Sequence, residues 1–422
     1  MKTITQAHYV EPENTESIRE EPLVIHRKEG KRNNQLIVFV HGLSGSRYGK
    51  DSTWGEFPAF IFADFPLLDV GLYEYQTLSA RWRLRESLDL KKEAQVLADL
   101  IRDELSNYVS VILVGHSMGG LLCKAAISRL VVNNEKDILS RISGLILMAT
   151  PQLGSMRVPN WLGKFSTDFQ ALKPHGEFIS EINNTFENHL EFDERIAGVD
   201  RVTIPTWAVL GASDFWVDQM SAGIGLAARR KKIARGSHTE IVKPKDKDGG
   251  IYSWVRDRIE VCLSRFKYDV FIASAMAGLA TEEDYRVNRN IILELQQQLR
   301  DTCNFQSTFY AGQALTSKAE FDAQDLSLEE DIRALSESRY FLLFYPQKLV
   351  SSVIFVAGLA LALGKPSVYF VQDRRDLPFL MAHADQASLN ARVKIYEYSA
   401  ENEIFKLIRK HGARLWRAHR AP

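Results

Sequence analysis

The chain has 422 residues, 53 basic and 53 acidic side chains, 45% apolar residues and three cysteines. That length predicts two or three domains, and the zero formal charge excludes a global field aimed at nucleic acid or an anionic membrane. Cys123, Cys262 and Cys303 are too few and too scattered for a disulfide framework or a zinc site.

In chain order, residues 1–34 are polar, with acidic pieces such as Glu16 to Glu21, and read as a flexible lead or an edge element. Met1 to His8 lack the apolar core of a signal peptide, and no apolar run reaches the roughly 18 residues of a membrane span, so a cytoplasmic protein is expected. From Gln35 short apolar runs alternate with amphipathic ones. Strands are predicted at Leu36 to Val40, Gly71 to Tyr75, Ser110 to Val114, Leu145 to Ala149 and Trp207 to Leu210. Helices are predicted at Leu88 to Asn107 and Ile251 to Phe266. The alternation predicts a mostly parallel sheet covered by helices over residues 35–266.

A second series spans residues 267–422. Its strands are predicted near Asp269 to Ala273, Phe305 to Tyr310, Tyr340 to Phe344, Ser367 to Val371 and Lys394 to Tyr398. Helices at Glu282 to Arg300, Leu328 to Leu335, Leu349 to Leu363 and Glu403 to His411 separate them. Five strands with helical crossovers predict a flavodoxin-like, doubly wound parallel sheet.

The chemistry concentrates at Gly115-His116-Ser117-Met118-Gly119-Gly120, between an apolar strand and a helix-like run. A G-x-S-x-G turn in that context presents the serine hydroxyl at the sheet's carboxyl edge, beside a helix N-terminus that favours developing negative charge. Such a serine needs a base and an orienting acid. Asp214 ends a predicted strand and His238 follows in the turn Gly236-Ser237-His238, so the order acid then histidine makes Ser117, Asp214 and His238 the candidate triad. Asp218, in the same loop as Asp214, is the rival acid. Two backbone N–H groups, of Met118 and of Leu43 in His41-Gly42-Leu43, are the candidate oxyanion donors, with His41 ordering that loop.

These motifs, with Ala149-Thr150-Pro151-Gln152-Leu153-Gly154, resemble α/β-hydrolase lipases and esterases, in particular inositol-deacylase-like and serine-active-site-containing lipase-like proteins. The resemblance implies attack by Ser117 on an acyl carbonyl and an acyl-enzyme hydrolysed by water; separately, no cofactor and no metal is expected. The aromatic insert between Gly154 and Arg201 (Trp161, Phe165, Phe169, Phe178, Phe186, Phe192) reads either as a lid or as helices packed on the sheet. Arg229-Arg230-Lys231-Lys232 reads as a solvated loop, the alternative being attraction of a phosphate-bearing headgroup.

The C-terminal part resembles nucleoside deoxyribosyltransferase-like and, more distantly, TIR domains, on Tyr268 to Met276, Asp331 and the helix ending Gly364-Lys365-Pro366. Val356 stands where that family carries its catalytic glutamate, and no acidic residue lies between Lys348 and Lys365. The domain is therefore expected to bind a nucleotide-type regulator, with Ser274, Met276 and Asp331 as candidate ligand contacts, or protein, including its own copy in a homo-oligomer. The pairing resembles bacterial anti-phage effectors. Two readings compete with a regulated ester hydrolase: an NAD- or nucleoside-cleaving enzyme, and a non-catalytic scaffold.

Overall fold

The computed structural model describes residues 15–20, 22–28, 33–43, 45–46, 52–75, 89–154, 176–191, 202–215, 217, 219–248, 250–264, 266–303, 305–321, 324–349, 352–386 and 393–416. The chain divides into two compact units, Met1–Leu263 and Ser264–Pro422. Among the described residues no helix is long and apolar enough to cross a membrane.

The first unit is built on an eight-stranded sheet. Its strands are β1 (Thr15–Glu20), β2 (Leu23–Lys28), β3 (Gln35–Val40), β4 (Leu68–Tyr73), β5 (Ser110–His116), β6 (Ile142–Met148), β9 (Thr206–Gly211) and β10 (Lys231–Ala234). They lie in the order β1-β2-β4-β3-β5-β6-β9-β10, with β7 (Leu190–Glu191) and β8 (Val202–Thr203) pairing separately. From β4 to β10 every neighbour is parallel, while β1–β2 and β2–β4 are antiparallel. Of the two readings of residues 1–34, the edge element is the one seen from Thr15 onward: β1 and β2 form the antiparallel edge of this sheet. An edge strand has no need of a continuous apolar run, so composition alone leaves it indistinguishable from a flexible lead.

The central strands are buried along their whole length, as a sheet covered on both faces requires. Period-two alternation divides their side chains between two cores. Val38, Leu113, Leu145 and Ala208 face one, Phe39, Val114, Ile146 and Val209 the other. Against the second core lies α1 (Phe57–Asp64). Over the first lie α2 (Leu90–Asp103) and α3 (Met118–Val132). Asp89 starts α2 by accepting hydrogen bonds from the N–H groups of Lys91 (3.0 Å) and Lys92 (3.1 Å). Helices α4 (Lys136–Arg141), α5 (Glu177–His189), α6 (Gln219–Gly223) and α7 (Gly250–Ser264) complete the unit. Of the aromatic insert, Phe178 and Phe186 are buried on α5, whereas Trp161, Phe165, Phe169 and Phe192 lie outside the described residues. The basic run is likewise corrected. Arg230 is buried, its guanidinium 5.1 Å over the Trp207 ring, and Lys231 and Lys232 open the edge strand β10.

The second unit holds β11 (Tyr268–Ser274), β12 (Thr308–Phe309), β13 (Ser338–Tyr345), β14 (Ser367–Val371) and β15 (Val393–Glu397) in the order β12-β11-β13-β14-β15, all parallel. Its helices are α8 (Glu282–Cys303), α9 (Gln324–Ser336), α10 (Val353–Ala362), α11 (Phe379–Ala382) and α12 (Glu401–His411). A capping box starts α8: Asp284 N–H donates to Thr281 Oγ1 (3.0 Å) and Thr281 N–H to Asp284 Oδ2 (3.1 Å). The rings of Phe305, Tyr340 and Trp416 cluster with centroids 5.4–5.6 Å apart, and Trp416 Nε1 donates to Phe341 O at 2.9 Å.

One close approach tests the packing of β6 under α7. A Cβ at Gly144 would meet Cys262 Sγ at 2.2 Å and Cys262 Cβ at 3.4 Å. Gly144→Ala is expected to cost about 1–3 kcal/mol in urea unfolding. Cys262→Ala in that background, which removes only the colliding sulfur, is expected to recover most of the loss.

Candidate active site

Parallel strands send every β-to-α connection to the same sheet edge. The loop after β3 carries Gly42 and Leu43, Ser117 directly follows β5, the loop after β9 carries Asp214, and the turn after β10 carries His238. With strands about 4.8 Å apart, residues 200 positions apart in sequence share one rim.

Ser117 has φ 51° and ψ −122°, a backbone region that costs a non-glycine residue of order 1–3 kcal/mol. The strain is held in place from all sides. Ser117 N–H donates to Met148 O (2.9 Å) and Gly120 N–H to Ser117 O (3.0 Å). A Cβ at Gly119 would lie 2.3 Å from the carbonyl oxygens of Val40 and His41, and one at Gly120 would lie 2.0 Å from Thr150 Oγ1. Only hydrogen fits at either place, so the helix packs directly on β3 and on the loop after β6. Although Ser117 stands at the N-cap of α3, its side chain makes no capping hydrogen bond. The half-buried hydroxyl is therefore not committed to holding the helix.

His238 Nδ1 lies 2.8 Å from Asp214 Oδ2, and the Asp214 carboxylate is 1% exposed. Val217 N–H donates to its other oxygen at 3.0 Å. A buried carboxylate accepting the Nδ1–H fixes the tautomer that leaves Nε2 as the basic nitrogen. Backbone bonds tie the two loops together: Ala212 N–H to Ala234 O (2.8 Å) and Ser213 N–H to Gly236 O (3.1 Å). Gly236 has φ +136°. The rival acid Asp218 lies outside the described residues.

His116, quoted in the sequence only as the variable residue of the motif, is the residue sequence reasoning missed. It is 5% exposed, and its Nε2–H donates to the backbone carbonyl of His238 at 3.0 Å. The two imidazole rings are 4.8 Å apart, with Trp54 edge-on to His116 at 6.2 Å. Burial, then the neighbouring His238, lowers the His116 pKa to about 3. The ring stays neutral and keeps its donor on the loop that carries the imidazole. Nothing in the sequence distinguishes this histidine from a spacer, because its partner is 122 positions away.

Leu43 sits in a turn closed by Gly45 N–H donating to Gly42 O (3.0 Å). A Cβ on Gly42 would lie 2.9 Å from Ser117 Cβ, which sets that loop directly against the Ser117 turn. His41 is buried, stacks on Tyr75 (4.5 Å, 5°), donates from Nδ1 to Gly42 O (2.9 Å) and accepts Tyr75 N–H at Nε2 (3.4 Å). Met118 begins α3, where backbone N–H groups have no intrahelical acceptor. Among the described residues no group of three or more His, Cys, Asp or Glu side chains converges as a metal site.

In the second unit, Ser274 ends β11 and is buried against α8, where Asn288 Nδ2 donates to Ser274 Oγ (2.9 Å) and to Ala275 O (3.0 Å). Met276 packs on the small cluster of Ala275, Leu279 and Tyr285. Asp331 is half-buried on α9, and burial together with the Glu330 charge raises its carboxyl to about 6. Among the described residues no hydrogen bond joins Asp331 to Ser274 or Met276. Val356 faces the apolar core with Ala357 and Ala360.

Residues 37–239, which lie within the first unit, match the model of the alpha/beta hydrolase family. Among solved structures the chain is similar to a lipase from Bacillus licheniformis, at 16% identity over 58% of this chain and 99% of that one with a TM-score of 0.39. It is similar to an esterase from Lactobacillus rhamnosis at 15% identity, 59% and 85% coverage and a TM-score of 0.36. A monoacylglycerol lipase from Paleococcus ferrophilus gives 12% identity, 59% and 99% coverage and a TM-score of 0.35. No curated protein matches the chain.

The depressed pKa of His116 has a signature in stability. Between pH 3 and 6.5 the unfolded chain binds a proton here that the folded chain refuses. Stability due to this group therefore rises with pH across that window, by up to about 1.4 kcal/mol per unit, and is lost on acidification. His116→Gln, which keeps a donor near Nε2 but does not titrate, is expected to flatten the unfolding free energy between pH 4 and 6 by a comparable slope.

Proposed function

We propose that the chain is a serine hydrolase of carboxylic esters, with Ser117 as nucleophile, His238 as general base and acid, and Asp214 as the orienting acid. The observation that carries this reading is the 2.8 Å contact between His238 Nδ1 and the buried Asp214 carboxylate, on the same rim as the strained Ser117 turn. His238 Nε2 takes the Ser117 proton as Oγ attacks the ester carbonyl. The tetrahedral oxyanion forms against the N–H groups of Met118 and Leu43. Collapse expels the alcohol, which receives the proton from His238, and water repeats the sequence to free the acid. His116 is a positioning residue: its bond to the His238 carbonyl holds the base loop.

A chromogenic short-chain ester and a fluorophosphonate probe test this reading. Ser117→Ala is expected to abolish probe labelling and lower kcat by at least about 10³-fold, with Asp214→Asn lowering it by a similar order. Labelling mapped to a peptide lacking Ser117 would refute the assignment.

The second unit we read as a regulatory module for a nucleotide-class ligand, not as a glycosidase. Its strand order reverses between β11 and β13, the kind of switch point where doubly wound sheets of flavodoxin type take ligands, and Ser274 stands at that edge. The apolar surroundings of Val356 argue against a carboxylate-dependent cleavage at that helix. Calorimetric titration of the intact protein with NAD, ADP-ribose and mononucleotides is expected to give saturable binding without consumption of the ligand. Flat titrations across that panel would remove this reading.

A further inference from the structure

The first unit buries a cation that the proposed reaction does not use. Lys124, two turns along α3 from Ser117, is 4% exposed and lines a cavity walled by Gln152, Leu153, Phe186, Thr206 and Leu226. Its Nζ donates to Gln152 Oε1 (3.1 Å) and Asn183 Oδ1 (2.7 Å) and lies 4.6 Å over the Phe186 ring. The orientation of both amides is fixed from behind: Gln152 Nε2 donates to Ala222 O (2.7 Å) and Asn183 Nδ2 to Gln152 O (2.8 Å). Two oxygens are thereby aimed at the ammonium, and both are neutral. A buried ammonium is costly without an opposite charge. Among the described residues no carboxylate lies within hydrogen-bond reach of it. The one acidic side chain lining the cavity, Glu187 on α5, is exposed and acts on Lys124 only through its field.

We propose that this cavity is a binding site for a short-chain monocarboxylate, whose carboxylate pairs with Lys124 Nζ while its alkyl part lies against Phe186, Leu153 and Leu226. The site does not depend on the esterase reading. Burial lowers the Lys124 pKa to about 7, partly offset by Glu187. A carboxylate therefore binds the protonated amine, and its affinity falls by about tenfold per pH unit above 7.

Butyrate and its neutral isostere butyramide, titrated into the full-length protein by calorimetry at pH 6.5, 7.5 and 8.5, are the test. Butyrate is expected to bind saturably and more weakly as pH rises, butyramide to leave no signal, and Lys124→Met to abolish butyrate binding. In the wild-type protein, butyrate is expected to protect Lys124 from an amine-modifying reagent, read by peptide mass spectrometry. That readout stands even if Lys124→Met fails to fold. Equal binding of butyramide, undiminished binding by Lys124→Met, or unprotected Lys124 at saturating butyrate would overturn the proposal. Loss of esterase activity in Ser117→Ala with butyrate binding intact would separate this site from the rim.

Discussion

The first unit depends on a clearance of almost nothing around Ser117. Its backbone occupies a region that side-chain-bearing residues avoid, and the two backbone hydrogen bonds on Ser117 hold it only together with the packing around it. That packing is the approach of α3 to the Val40 and His41 carbonyls and to Thr150, close enough that a single methyl group would collide. The strain and the packing are one feature. Relaxing the turn would require lifting the helix from the sheet, exposing Leu121, Leu122 and Cys123, which are all buried. The free energy of the core is thus applied at one peptide unit, and the hydroxyl is presented outward as a result.

Around that turn the polar groups are arranged by backbone more than by side chains. The imidazole of His238 is aimed by a carboxylate, but its loop is held by a carbonyl bond from His116 and by two inter-loop amide bonds. Neutral donors suit this task, since a second charge beside the imidazole would perturb the group it positions. Burial keeps His116 uncharged well below neutral pH. His41 follows the same logic in the neighbouring loop, with both ring nitrogens engaged by backbone groups.

Much of this was legible because it is local. Buried parallel strands read as short apolar runs, and Ser367–Val371 was delimited to the residue. The turn around Ser117 demands small residues at fixed offsets, so steric need is written directly into Gly115, Gly119 and Gly120. Edge elements were less legible. Thr15–Glu20 and Lys231–Ala234 each lie at one end of the sheet, and their polar and basic residues leave the first readable as either a lead or an edge and make the second read as a loop. Arg230 reads as one charge in a basic run, yet its guanidinium is buried on Trp207 because the indole face accepts a weakly hydrated cation.

The sequence by itself determined the strand and helix alternation, the strained serine turn and the candidates Asp214 and His238, since each follows from periodicity, glycine spacing or chain order. Tertiary structure alone decided that His116 reaches the His238 carbonyl, that Asn288 anchors Ser274, and that Lys124 is enclosed with two neutral amides. The reason is distance along the chain. Pairings between residues 14 to 122 positions apart depend on which strands are neighbours and which loops cross, and no local pattern of side chains encodes that.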